Sequence, residues 1–227
     1  MIGLYADSIR KQFGIKQVLN DIFITCQQEQ IVGLLGRNGS GKSSLLKIIF
    51  GSISADQKFV TVDSRKINNL FDSRDLINYL PQNNYLPSHI KIKNLISCFC
   101  NKSNVDLLMK DDFISPLLNH KTKQLSGGER RFVEILLMVY SDTKYLLLDE
   151  PFNGIAPLYI DVIKNHIKEQ SKNKGFIITD HAYENVLDIS SSVFLMSNGN
   201  IRKIKEFADL IEFGYLTSTS KIPNWYK

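Results

Sequence analysis

Residues 36–43 of this chain read Gly36-Arg37-Asn38-Gly39-Ser40-Gly41-Lys42-Ser43. An apolar run at residues 31–35 precedes them, and a helical pattern at 43–50 follows and ends at Gly51. Glycines let consecutive backbone N–H groups turn inward around phosphate oxygens, and the N-terminus of the following helix favours an anion. In such a loop the lysine reaches the β- and γ-phosphates, and the next hydroxyl ligates Mg²⁺. The sequence therefore predicts a nucleoside triphosphate site between a strand and a helix.

Three short apolar runs, at residues 31–35, 145–148 and 176–179, are continuous rather than alternating. Such runs are typical of strands that are buried on both faces of a parallel sheet. Ligands of open α/β sheets gather where these strands end. Residues 193–196 and 201–204 flank an Asn-Gly turn and predict a hairpin. We therefore expect an α/β fold with a mostly parallel central sheet.

Between residues 83 and 124 the strand pattern gives way to irregular and helical sequence rich in Asn, Lys and short apolar clusters. We expect one domain over residues 1–227, with a core at about 1–82 and 125–227 and a helical lobe at about 83–124. The lobe's apolar residues either line a docking groove or pack a small core of the lobe itself. These residues are Leu86, Ile90, Ile92, Leu95 and Ile96.

The composition is that of a globular protein, with 43% hydrophobic and 22% charged residues. The longest apolar run, at 135–140, is too short to span a bilayer, and residues 1–7 do not resemble a signal peptide. A cytosolic protein is expected, with any membrane role carried by a partner. The three cysteines fit no disulfide framework or zinc pattern, and the net charge of +5 comes from scattered Lys and Arg. Trp225 and Tyr226, in a polar tail, are expected to fold back on the body.

A second glycine-containing segment reads Leu125-Ser126-Gly127-Gly128-Glu129. The serine and the glutamate fit a capping box, and the apolar periodicity that follows predicts a helix. A capping box does not explain two consecutive glycines, which destabilise the first turn of a helix. Close approach of a ligand to the backbone does explain them. This helix start is therefore predicted to face an anion.

Two adjacent acids, Asp149 and Glu150, follow the apolar run at 145–148 and precede Pro151. A solvated strand end is one interpretation of such a pair. The apolar lead-in and the proline favour a catalytic one, in which Asp149 holds Mg²⁺ through its hydration shell. Glu150 would then orient and deprotonate the attacking water.

These three segments, in this order, resemble the ATP-binding cassette (ABC) ATPase family over about residues 2–205. The resemblance implies a P-loop NTPase fold with a mostly parallel central sheet, an N-terminal antiparallel β portion and an inserted helical lobe. It implies ATP and Mg²⁺ as cofactors and ATP hydrolysis coupled to transport. The motifs look most similar to those of the lipopolysaccharide-export and branched-chain amino-acid branch.

The resemblance assigns roles to three further residues. Gln82 resembles the glutamine that touches Mg²⁺ and the water, and His181 resembles the histidine that contacts the γ-phosphate, although a lone histidine is usually structural. Phe13 matches the aromatic that stacks on adenine, with an ordinary core aromatic as the alternative. The predicted catalytic residues are Glu150, His181 and Gln82, and the predicted metal contacts are Ser43, Gln82 and Asp149. The predicted nucleotide contacts are Phe13, Gly36, Arg37, Asn38, Gly39, Ser40, Gly41, Lys42, Ser43, Ser44, Ser126, Gly127 and Gly128.

The resemblance further implies a homodimer that closes around two ATP molecules, each phosphate loop facing the second glycine segment of the other copy. Closure would drive an integral membrane permease on a separate chain, which places the protein on the inner face of the membrane without direct nucleic-acid contact. The alternatives are a soluble ABC protein acting on ribosomes or nucleic acid and a non-hydrolysing binding module. The chain departs from the family pattern at Ala156, where an aspartate is usual, and near Glu29, where a glycine is usual.

Overall fold

A computed structural model of the chain describes residues 2–217 and 220. The strands are β1 (Leu4–Phe13), β2 (Lys16–Cys26), β3 (Ile31–Gly36), β4 (Gln57–Val62), β5 (Arg65–Lys66), β6 (Ile77–Leu80), β7 (Tyr145–Asp149), β8 (Gly175–Thr179), β9 (Ser192–Ser197) and β10 (Asn200–Ile204). The α-helices are α1 (Lys42–Phe50), α2 (Leu70–Ser73), α3 (Ile92–Phe99), α4 (Lys102–Lys110), α5 (Gly127–Val139), α6 (Pro157–Gln170), α7 (Tyr183–Ile189) and α8 (Phe207–Glu212). Trp225 and Tyr226 lie outside the described residues.

The central sheet has six strands in the order β10-β9-β3-β8-β7-β6. The pairs from β9 to β6 are parallel, and β10 pairs with β9 as the antiparallel arm of the predicted hairpin. Every residue of β3, β7 and β8 is buried, as continuous apolar runs require. The expected α/β fold with a mostly parallel central sheet is confirmed.

The N-terminal sheet is antiparallel, with strand order β2-β1-β4-β5. Apolar residues on one face of β1, among them Leu4, Ala6 and Ile9, are fully buried, while residues between them are partly exposed. Such a face is the expected pattern for a sheet with one side in water. The predicted antiparallel β portion is therefore present and covers one side of the core.

Helix α1 lies between the two sheets and begins one residue earlier than predicted. Four of its residues are fully buried in an apolar cluster that includes residues of both sheets, namely Leu45, Leu46, Ile48 and Ile49. Gly51 ends the helix in the left-handed region with a φ of 86°, and its N–H donates to the Ile48 carbonyl at 3.1 Å. This packing fixes the N-terminus of α1 at the carboxyl end of β3.

A second apolar cluster joins the central sheet, α5, α6 and the predicted lobe. Four of the five lobe residues in question are at most 3% exposed, and only Ile90, at 38%, reaches the surface. The four that are buried are Leu86, Ile92, Leu95 and Ile96. They pack in the cluster that contains Phe132 and Ile135 of α5. The docking-groove interpretation is therefore wrong for these four, and the core–lobe boundary stays a prediction.

The apolar run at residues 135–140 lies in and just after α5, a helix of 13 residues that packs inside the protein. Within residues 2–217 and 220, no helix combines the length and the apolar character needed to cross a membrane.

Glu29, in the turn between β2 and β3, has a left-handed backbone with a φ of 64°. A residue with a Cβ is disfavoured there by about 1–2 kcal/mol, and a glycine's extra entropy in the unfolded chain offsets part of that. We expect Glu29→Gly to raise the free energy of unfolding by about 0.5–1 kcal/mol. Urea denaturation measures this change.

Gln28→Gly is the matched control, because this neighbour is also exposed and its φ is not positive. Gln28→Gly should leave the free energy of unfolding unchanged or lower it. If both variants change stability alike, the backbone at Glu29 is not strained.

Candidate functional site

A cleft of about 470 Å³ lies at the carboxyl ends of the central strands, above the N-terminus of α1. It brings together residues that are far apart in the sequence, as expected for ligand sites of open α/β sheets. Its lining consists of Phe13, Val18, Asn38, Gly39, Ser40, Gly41, Lys42, Ser43, Ser44, Gln82, Glu150 and His181. With the exception of Val18, all of these are predicted site residues.

Lys42 lies at the start of α1 and is only 5% exposed. Its Nζ donates to the Gly36 carbonyl at 2.7 Å and to the Arg37 carbonyl at 3.3 Å. Burial lowers the pKa of Lys42 below its ordinary value, and nearby carboxylates, Glu150 first, oppose that shift. The ammonium group is thus held at the loop, where a phosphate would supply the charge that the carbonyls lack.

Two predicted nucleotide contacts of the phosphate loop, Gly36 and Arg37, do not line the cleft. Arg37 donates through Nη2 to the Gly214 carbonyl at 2.8 Å and lines a neighbouring cavity of about 580 Å³. Gly36, with a φ of 156°, is packed so closely that a Cβ would lie 2.6 Å from the Met196 carbonyl oxygen. Gly36 is therefore needed for close packing of the loop against β9, and the Arg37 side chain contacts Gly214 rather than the cleft.

Asp149, at the end of β7, is 1% exposed and accepts hydrogen bonds from three hydroxyl groups. Its Oδ1 accepts from Ser43 Oγ at 2.9 Å and from Thr179 Oγ1 at 3.2 Å. Its Oδ2 accepts from the hydroxyl of Tyr79 at 2.8 Å. Burial, followed by the Asp149 charge, raises the pKa of Tyr79 above its ordinary value, so this hydroxyl keeps its proton.

Ser43 and Asp149 form a donor set suited to Mg²⁺. The described residues contain no group of three or more His, Cys, Asp or Glu side chains that could hold a metal ion. Mg²⁺ does not need such a cage, since it binds through one or two carboxylates, waters and the phosphates of its substrate. A hydroxyl at the phosphate loop that meets a buried carboxylate at 2.9 Å fits that ion.

Glu150 has a left-handed backbone with a φ of 50°, which is uncommon for a residue with a side chain. Hydrogen bonds from its N–H to Thr179, to the carbonyl at 2.9 Å and to Oγ1 at 3.3 Å, hold this conformation. The carboxylate is 8% exposed, and its Oε1 lies 2.8 Å from Nε2 of His181. Strained backbone of this kind clusters at functional sites, and here it turns the carboxylate towards the cleft.

Asp180, between Thr179 and His181, fixes the loops on both sides of the cleft. Its carboxylate accepts from the N–H of Phe152 at 2.9 Å and from that of Ala182 at 3.0 Å. Burial raises the pKa of Asp180, and the backbone hydrogen bonds oppose that shift. Asp180 therefore holds the segment after Glu150 against the segment that carries His181.

The aromatic and the glutamine predicted at the cleft both lie at its edge. Phe13 is 49% exposed, and Nζ of Lys11 lies 5.1 Å from the centre of its ring. Phe13 is therefore not a core aromatic, and its ring is accessible to a stacking partner. Gln82 is exposed and follows β6 by two residues.

The second glycine segment lies outside the cleft. Ser126 is the N-cap of α5, where its Oγ accepts from the Glu129 N–H at 3.3 Å, and the Glu129 carboxylate accepts from the Ser126 N–H at 2.8 Å. The expected capping box is thus present. Ser126 and Gly127 are exposed, and a Cβ added to Gly127 would meet no described residue within 4 Å.

Arg131 on α5 connects three parts of the site and was not predicted from the sequence. Its guanidinium, 5% exposed, donates to the Pro81 carbonyl at 2.8 Å and to Glu134 Oε2 at 3.4 Å. It also donates to the carbonyls of Asp149 and Glu150, at 3.4 and 3.3 Å. One buried cation thus ties α5 both to the end of β7 and to the residue that precedes the predicted glutamine.

Tyr79 and Thr179 were likewise not predicted from the sequence. Thr179 ends a buried strand whose other residues are apolar or glycine, which is a signal that could have identified it, because buried polar groups require partners. Tyr79 follows the polar Asn78 on a strand where both residues are only half-buried, so no such signal marks it. Their partner is Asp149 in both cases.

Comparison with known proteins identifies the family of the chain. The ABC transporter family matches residues 19–153 of the chain. This chain belongs to the ABC transporter family. The lipopolysaccharide export system ATP-binding protein LptB of Haemophilus influenzae is 30% identical over 212 residues, which cover 87% of this chain and 88% of that protein. LptB of Escherichia coli strain K12 is 30% identical over 215 residues, or 88% of this chain and 89% of that protein.

Solved ABC cassettes share the fold. A nucleotide-free ATP-binding cassette from an ABC transporter superposes with a TM-score of 0.78 at 25% identity and covers 93% of this chain and 94% of that one. An ATP-binding subunit of another ABC transporter gives a TM-score of 0.81 at 20% identity, over 95% of each chain. The expected family, ATP binding, ATPase activity, transporter class and likeness to the lipopolysaccharide-export branch are confirmed.

Proposed function

We propose that this ABC ATPase binds Mg·ATP in the 470 Å³ cleft, with Lys42 on the β- and γ-phosphates and Glu150 as the general base. The observation that carries the proposal is the Glu150–His181 pair, 2.8 Å apart, facing the same cleft as the lysine. Ser43 and Asp149, with Gln82 at the edge, would hold the metal ion. Phe13 would stack on the adenine through its exposed face.

In this proposal the chain positions groups rather than forming bonds with the substrate. Lys42 neutralises charge that develops on the γ-phosphate, and a metal ion held by Ser43 and Asp149 would supply further positive charge to the phosphates. Glu150 orients a water molecule and accepts its proton, and His181 holds the carboxylate in place. His181 is 43% exposed, so it can also reach a ligand in the cleft.

Lys42→Ala is expected to weaken ATP binding, because it removes the cation at the phosphate loop. Glu150→Gln should retain ATP binding and lose roughly 10²–10⁴-fold in turnover, which is the usual contribution of a positioned base. Phosphate release and equilibrium binding of a fluorescent ATP analogue measure the two effects separately.

Lys47→Ala is the matched control, because this lysine lies on the last turn of the same helix, away from the cleft. It should bind and hydrolyse ATP like the parent. Parental turnover of Glu150→Gln would contradict the assignment of the base.

We also propose that two copies close face to face, with Ser126, Gly127 and Gly128 of one copy against the nucleotide of the other. Neither glycine has a positive φ, and a Cβ on Gly127 would lie in open space. Among residues 2–217 and 220, no contact therefore requires a glycine at that position. The exposed start of α5 presents free backbone N–H groups and a favourable dipole to an anion that comes from outside the chain.

ATP is expected to convert the Glu150→Gln protein from monomer to dimer in light scattering, because slow hydrolysis preserves the bound nucleotide. Ser126→Arg in that background should abolish the dimer by filling the space intended for a γ-phosphate. Ser103→Arg, at an exposed serine on α4, is the control and should still dimerise. A Ser126→Arg protein that dimerises as well as this control would refute the proposed interface.

For the membrane permease we propose a docking site at α2 and α3 rather than at the buried residues of the lobe. A groove of about 550 Å³ lies there, lined in part by Leu70, Phe71 and Phe99. Leu70 is 48% exposed and Phe71 is 85% exposed, so the groove presents apolar surface that the described residues leave open. The groove lies beside β6, which leads directly to Gln82, so an occupant could influence the cleft. The protein would then sit on the inner face of the membrane through its permease.

Phe71→Glu is expected to prevent co-purification with the membrane fraction when the neighbouring genes are co-expressed, because it places a charge in the apolar groove. Basal ATPase activity should remain. Ile15→Glu is the control, since Ile15 is 99% exposed and lies in the turn between β1 and β2. Equal membrane recovery of both variants would overturn the docking site, and salt-sensitive recovery with nucleic acid would favour the non-transport alternative.

A further inference from the structure

Tyr79 on β6 is the residue outside the recognised motifs that contacts the proposed metal site most directly. Its hydroxyl donates to Oδ2 of Asp149 at 2.8 Å, across 70 residues of sequence. Its ring lies against Phe50 at the end of α1, with the ring centres 5.6 Å apart. The ring therefore has a packing role that is separable from the hydrogen bond of the hydroxyl.

The hydrogen bond settles which way the Asp149 carboxylate faces. Ser43 and Thr179 both donate to Oδ1, and the only donor that the described residues supply to Oδ2 is Tyr79. A carboxylate that is 1% exposed cannot exchange this donor freely for water. With Oδ2 tied to β6, Oδ1 stays towards Ser43 and the phosphate loop.

We propose that Tyr79 is a positioning residue for the metal ion, acting by holding the Asp149 carboxylate in register with the Ser43 hydroxyl. This inference rests on the proposed binding of Mg·ATP in the cleft. Groups that orient a ligand or its carboxylate partner usually contribute 10–100-fold to metal affinity. Tyr79 does not touch the nucleotide cleft itself, so its removal should act on the metal and spare the nucleotide.

The test is Tyr79→Phe, which keeps the ring against Phe50 and removes only the hydroxyl. Binding of a fluorescent ATP analogue is titrated with Mg²⁺, and it is also measured in EDTA. The variant is expected to need about 10–100-fold more Mg²⁺ for half-maximal enhancement of binding. Its affinity for the analogue in EDTA should equal that of the parent.

Tyr145→Phe is the matched control on the neighbouring strand β7. The Tyr145 hydroxyl is buried and has no hydrogen-bond partner within the part of the chain that the structure describes. Its removal should leave the Mg²⁺ titration unchanged. A second variant pair, Asp149→Asn with and without Tyr79→Phe, tests whether Tyr79 acts through the Asp149 carboxylate. Once that carboxylate is gone, Tyr79→Phe should cause no further change in the Mg²⁺ titration.

Each result decides the inference. A parental Mg²⁺ titration for Tyr79→Phe overturns it, and so does an equal loss of binding with and without Mg²⁺, which indicates a merely structural role. An undiminished effect in the Asp149→Asn background also overturns it, because the tyrosine would then act elsewhere. If the parent itself binds the analogue equally with Mg²⁺ and in EDTA, the proposed Mg²⁺ site fails, and this inference fails with it.

Discussion

The site depends on the burial of one carboxylate, that of Asp149. An ionised group that is 1% exposed is strongly destabilising unless donors replace its water, and here three hydroxyls do so. They come from three elements, with Ser43 on α1, Tyr79 on β6 and Thr179 at the end of β8. The three hydrogen bonds to this carboxylate therefore fix the positions of the phosphate loop, the edge strand β6 and the strand β8 relative to β7.

A buried cation on the opposite side of the same strand end complements this arrangement. Arg131 reaches the carbonyls of Asp149 and Glu150 and, through Glu134, belongs to a charged group on α5. Glu134 also accepts from the N–H of Tyr85 at 3.2 Å, and Arg130 donates to the Leu86 carbonyl at 2.6 Å. Side chains of helix α5 thus hold the backbone of the segment on both sides of the predicted glutamine.

The features that could be predicted from the sequence are those that depend on residues close together in the chain. Apolar runs identified β3, β7 and β8, and glycine placement identified the phosphate loop, because both depend on neighbours in the chain. The partners of Asp149 were not predictable in this way, since Tyr79 and Thr179 lie 70 and 30 residues from it. Only the folded sheet places those side chains against the carboxylate. The same reason explains why the buried role of Arg131 was missed.

The two interpretations of the lobe residues show that sequence periodicity does not predict which apolar side chains are buried. Periodicity identified apolar residues such as Leu95 and Ile96, but it could not say whether they face solvent, because that depends on what packs against them. The folded chain covers both and leaves Phe71, outside the lobe, 85% exposed instead. Gly127 is the complementary case, because no contact within the described part of the chain explains why a glycine stands there. The proposed docking groove rests on the first kind of residue and the proposed dimer interface on the second, and both kinds could be recognised only in the folded chain.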